Sequence, residues 1–353
     1  MIDKNQHLVE WIRNKAEHEF RDDVALVLLY GSYVNNTTHR LSDVDCYFIP
    51  KNDKGYGFAR TFIMGDVGYD IFPMSWERVE GLAEVKEFLL PLLGNSIILH
   101  ADSIEDETRF MRLRDRLRNH LSDAGFMHGK AVENFRKAEI SLSRAGGNDL
   151  AVVRKQAGLM LFGLHDAIAF ANQTYFTRGL KKQFEDLKKF KRIPKDYFPL
   201  YLSLVGETDP DRIRSKASEL LAAVAAFLDI REYPHLPALK PAPATGIPDY
   251  AELAGFYEEA VSTFNKIYVN CDEGEHLMAF VNAVCLQHIL DDDIPPMTGL
   301  EPSRLLAAYD KSDLSKLKRQ TKEYETKFVR FIEAGGGVIT RYDDFDAFLA
   351  ANP

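Results

Sequence analysis

Two apolar runs of strand length stand close together near the start of the chain: VALVLLY (24–30) and VDCYFIP (44–50), the second opened by Asp43 and Asp45. A strand that is apolar on both faces must be covered on both sides, so the runs predict a sheet with helices packed against it. Side chains alternate along a strand, which puts Asp43 and Asp45 on one side and Val44 and Cys46 on the other. Two carboxylates a few ångströms apart repel unless something positive lies between them. A capped turn with Ser42 as helper would also explain two acids at a strand entrance, so the neighbours have to decide.

Those neighbours favour chemistry. Gly31-Ser32 ends the first run, where a glycine lets backbone approach a ligand and free amides with the Ser32 hydroxyl suit phosphate oxygens. Ser32 also fits the N-cap of a short helix over 33–38, a role compatible with anion binding. A third acid, Asp70, sits in GYDIFPMS among Tyr69, Ile71 and Phe72, where an unpaired carboxylate would be costly. Mg²⁺ satisfies such a trio, because it takes hard oxygen ligands and keeps positions open for water and phosphate.

The rest of the chain sets the frame. Residues 4–20 have Leu8, Trp11, Ile12 and Ala16 at helical spacing, RTFIMGDVGYDIFPMS (60–75) reads as a hairpin about Gly65-Asp66, and SIILHADS (96–103) is a last strand. Ser75 is placed to cap a helix through WERVEGLAEVKEFLL. Beyond residue 104, helices are predicted over 104–122, 126–145, 149–173, 178–190 and 210–229, then 250–268, 275–291, 302–309 and 312–334, with a short terminal helix. The stretch REYPHLPALKPAPATGIPDY carries five prolines and reads as a linker. The expectation is an α+β chain: a small mixed-sheet catalytic domain at 1–103, a helical supporting domain at 104–232, a linker at 233–249, and a C-terminal helical domain at 250–353.

The pattern of strand, Gly-Ser, DxD on the next strand and an acid on a later one resembles the DNA polymerase β-type nucleotidyltransferase superfamily. A short catalytic domain with helices behind it is similar to the antibiotic nucleotidyltransferases of the kanamycin and lincosamide type. The resemblance implies that Asp43, Asp45 and Asp70 hold Mg²⁺, that Gly31 and Ser32 grip the nucleotide's phosphates, and that a nucleoside triphosphate, ATP first, is co-substrate. It implies transfer of a nucleoside monophosphate to a hydroxyl with release of pyrophosphate. AIAFANQTYFTRGLKKQFEDL (167–187) resembles a segment in which a lysine nears the nucleotide, which points to Lys181 and Lys182; a solvated face with Arg178 explains them equally well. Asp70 serves as metal ligand or as general base, and Glu133, Glu139 and Asp166 are alternatives for the base. Some relatives share a site across a dimer, so a homodimer is compatible with the resemblance.

Composition narrows the partners. There are 53 acids against 44 Lys and Arg, a net charge of −9, which argues against general nucleic-acid binding and mildly favours a cationic or polyhydroxyl small-molecule acceptor, such as an aminoglycoside in antibiotic resistance. Transfer to tRNA or protein in the manner of toxin-type relatives, or nucleotide binding without catalysis, are the rival readings. Three cysteines without a CxxC, no secretory leader and no run of about eighteen apolar residues predict a soluble cytoplasmic protein with no membrane contact.

Overall fold

The computed structural model describes residues 4–35, 42–179, 182–231, 248–294 and 300–353. His39, Arg40, Lys181 and nearly all of the proline-rich stretch lie outside the described residues.

Helix α1 (Lys4–His18) leads into β1 (Val24–Tyr30), a one-turn helix α2 (Gly31–Val34), β2 (Asp45–Pro50), and the hairpin β3 (Arg60–Met64) and β4 (Val67–Pro73). Gly65 makes the hairpin turn at φ +62. Then come α3 (Trp76–Ala83), α4 (Pro91–Gly94) and β5 (Ile97–Ala101). Ser75 caps α3 by accepting from the Arg78 amide at 3.2 Å, but the helix stops at Ala83 because Val85 turns left-handed at φ 53; the helix expected to run on through Leu90 ends there. The sheet order is β5-β1-β2-β4-β3-β6, and β6 is Arg341–Tyr342, which runs parallel to β3.

The helical part contains α5 (Ile104–Ser122), α6 (Ala124–Ser143), α7 (Leu150–Ala171), α8 (Gln183–Leu187), α9 (Tyr197–Val205) and α10 (Pro210–Phe227). It continues with α11 (Tyr250–Asp272), α12 (His276–His288), α13 (Ser315–Ala334) and α14 (Phe345–Ala351). The α+β class with a mixed sheet followed by helices is as expected. Among the described residues no helix is long and apolar enough to cross a membrane.

Both faces of the sheet are covered, which is why β1 is apolar throughout. Val27, Leu29, Cys46, Phe48, Tyr69 and Ile71 pack with α1 and Phe348 of α14 in a small core. Leu26, Leu28, Tyr47, Ile49 and Ile63 point the other way, into the large core shared with the helices. By strand alternation Asp45, Thr61, Gly68 and Asp70 belong to that second face. The acids therefore look toward the helical part.

Gly68 shows how closely α11 docks. A Cβ there would stand 2.4 Å from the Glu258 carbonyl oxygen and 2.6 Å from Val261 Cγ1. Gly68→Val is expected to destabilise the chain by about 1–3 kcal/mol, the usual cost of overpacking, as read from its urea midpoint.

Candidate active site

The register brings the acids together. Asp45 pairs across β1 with Tyr30, and the parallel pairing of Cys46 with Ile71 lines Asp45 up beside Asp70. Asp70 pairs with Thr61 on β3 and accepts a hydrogen bond from Thr61 Oγ1 at 3.0 Å. Asp43 lies close enough to raise the carboxyls of both Asp45 and Asp70.

The electrostatics report crowding. Burial, then the charge of Asp43, push Asp45 up to about 7, against relief from Lys266 and from the Ser32 backbone amide. Burial also raises Asp70; the Thr61 hydroxyl opposes this and Asp43 adds to it. Burial and then all three acids push the Tyr30 hydroxyl well up, so it shares their field. Two half-buried carboxylates, each raised further by the charge of Asp43, favour a cation or a proton.

At the turn, Gly31 has φ +72, and Asn35 donates its amide to the Gly31 carbonyl at 3.1 Å. A Cβ on Gly31 would fall 1.7 Å from Asp45 Oδ2, so only glycine lets the turn and the acid coexist. Ser32 lies inside α2, which begins at Gly31 and ends at Val34, rather than capping a helix over 33–38. Gly31→Ala is expected to cost about 1–2 kcal/mol for the left-handed backbone alone, before the clash, as measured by urea unfolding.

Helix α11 forms the opposite wall and was not foreseen as part of the site. Asn265 donates its side-chain amide to the Asp66 carbonyl, and Ser262 Oγ donates to the Gly68 carbonyl at 3.5 Å. Stepping back one more turn along α11 and two residues along β4 brings Glu259 beside Asp70. Glu259 is exposed along this wall, and the protein mass around it, then Asp70 and Glu258, push its carboxyl up to about 7. Lys266, two turns further on, lies close enough to favour the charged form of Asp45. A glutamate and a lysine seven apart share a helix face, but that spacing is commonplace on solvated helices and gives no signal by itself.

The other residues named from sequence are distributed as follows. Asn35 Nδ2 donates to the Thr177 carbonyl at 3.3 Å, joining the Gly31 turn to the segment after α7. Lys182 is exposed and pairs with Glu185 at 3.1 Å, and Arg178 pairs with Asp186. Glu133 pairs with Lys130 at 3.0 Å on the surface, and buried Glu139 pairs with Arg136 at 2.7 Å. Burial lifts Asp166 to about 7 against the pull of Lys137. None of these three acids is among the charges acting on Asp45 or Asp70.

With this geometry in hand, comparison gives a family for the first part of the chain: residues 9–120 match the family model described as a nucleotidyltransferase domain. That stretch, under a third of the chain, is similar to a nucleotidyltransferase domain. That domain holds Gly31, Ser32, Asp43, Asp45 and Asp70, whereas α11 lies outside the matched residues. No curated protein matches the chain.

The carboxylates of Asp45 and Asp70, both raised by the charge of Asp43, are hard oxygen donors of the kind a divalent cation takes. Among the described residues no group of three or more His, Cys, Asp or Glu side chains is arranged to hold a metal ion.

Proposed function

We propose that this chain is a Mg²⁺-dependent nucleotidyltransferase that moves a nucleoside monophosphate from a nucleoside triphosphate, ATP first, to a hydroxyl of a small-molecule acceptor. The observation that carries the reading is that Asp45 and Asp70 share one sheet face beside the Gly31 turn, with the charge of Asp43 acting on both. Mg²⁺ bound by these acids would neutralise charge on the triphosphate and on departing pyrophosphate. The Ser32 hydroxyl would grip phosphate oxygens, with Lys266 as a nearby ammonium group. Thr61 holds Asp70 in orientation. The acceptor oxygen forms a bond to the α-phosphorus, the bond to the bridging oxygen breaks, and pyrophosphate leaves with the electron pair. The hydroxyl proton passes to a carboxylate of the site.

The acidic lining supports a cationic or polyhydroxyl acceptor of aminoglycoside type, which would make the chain an antibiotic-modifying enzyme working in the cytoplasm. One observation favours a second reading, transfer to tRNA: Lys316, Arg319, Lys322, Lys327 and Arg330 are exposed along α13, against Glu323 and Glu333. Pyrophosphate release from ATP and GTP, tested with aminoglycosides, lincosamides and bulk tRNA, separates the two. The first reading expects release with a small molecule. Release with tRNA alone overturns the choice of acceptor, and the absence of release with every acceptor counts against transfer.

A further inference from the structure

We infer that Glu259 of α11 is a catalytic residue of the transfer, receiving the proton of the acceptor hydroxyl while Asp70 remains a metal ligand; this rests on the reading of the chain as a nucleotidyltransferase. The placement is geometric. Asn265 meets Asp66 and Ser262 meets Gly68, so α11 runs antiparallel to β4 and Glu259 reaches the level of Asp70. A Cβ on Gly68 would meet the Glu258 carbonyl oxygen and the Val261 side chain, so α11 packs directly against β4 at this level.

The two neighbouring acids are already engaged. Asp70 is fixed by Thr61, and Glu258 turns away to accept from the Thr340 amide. The Glu259 side chain is exposed on α11, and its carboxylate has no hydrogen bond or ion pair with another described residue. An exposed carboxylate on a helix docked against β4, at the level of Asp70, is placed to meet a substrate group. Glu133, Glu139 and Asp166 answer instead to Lys130, Arg136 and Lys137. In the step, the acceptor O–H bond breaks with its proton going to a Glu259 carboxylate oxygen as the oxygen–phosphorus bond forms. Pyrophosphate takes the electron pair of the bond that breaks.

The test uses the full chain with Mg²⁺ and ATP or GTP. Triphosphate binding is measured by calorimetry, and pyrophosphate release is measured in single turnover with water alone and with aminoglycosides, lincosamides or tRNA added. Glu259→Gln is expected to slow release by about 100-fold, the usual scale for loss of a general base, while triphosphate affinity stays within about twofold of the parent. Glu259→Asp, which keeps the carboxylate, is expected to recover part of the rate and guards against misfolding of the first variant. Release by Glu259→Gln at the parental rate, or a loss of triphosphate affinity in step with the rate, overturns the assignment. If the parent chain binds triphosphate but releases no pyrophosphate under any condition, the proton-transfer role falls and nucleotide binding stands. If it binds no triphosphate, the nucleotidyltransferase reading falls, and the inference with it.

Discussion

Asp45→Asn is expected to abolish nucleotidyl transfer, with a loss on the order of a thousandfold, while the folded chain becomes no less stable. The activity loss follows from the site: Asp45 faces the Ser32 amide on one side and Asp43 and Asp70 on the other, so its charge is central to any cation held there. Charge-neutralising groups act on about this scale in phosphoryl transfer. The stability effect follows from the sign of the shift. Asp45 is raised from 3.8 to about 7 in the fold, so folding favours its protonated form. Its contribution to stability is fully present below the unfolded value and is lost as pH rises to about 7. Unfolding in urea with EDTA should therefore show the parent chain losing stability between about pH 4 and pH 7, with a shallower slope in Asp45→Asn. Equal slopes in the two proteins would remove the electrostatic account of the site.

Phe348→Ala should cost about 3–5 kcal/mol, the range for emptying a fully buried phenylalanine site. Phe348 stacks on Phe62 at 4.6 Å, meets Trp11 edge-on at 4.9 Å and Tyr342 at 5.4 Å, and has no exposed surface. Around it, the Trp11 indole donates to the Asn352 carbonyl at 3.1 Å and Arg60 Nε to Asn352 Oδ1 at 3.3 Å. The last residues of the chain thus close the core beneath the catalytic sheet. A urea midpoint within experimental error of the parent would show that α14 is dispensable to that core.

Much of this was legible in the sequence because it is periodic or chemically costly. The buried runs of β1 and β2, the Gly65 turn and the isolated charge of Asp70 among apolar neighbours each have a local cause. Other features have none. A two-residue strand such as Arg341–Tyr342 is too short to carry a period, and it pairs with β3 where Tyr342 meets Phe62 and Phe348. Val85 entered the left-handed region where helical spacing alone predicted continuation. Glu259 and Lys266 became part of the site only because Gly68 admits α11 against β4, a contact 190 residues apart in the chain between Gly68 and Glu258. Short motifs mark the side of the site built on the sheet, and tertiary docking builds the facing wall.

The most direct test of the central claim is calorimetric titration of ATP and GTP into the full chain, with Mg²⁺ and then with EDTA. The account predicts saturable binding of one triphosphate per chain that requires Mg²⁺ and is lost in Asp45→Asn. Binding that is equally strong in EDTA and unchanged by Asp45→Asn would contradict a metal seat formed by Asp43, Asp45 and Asp70.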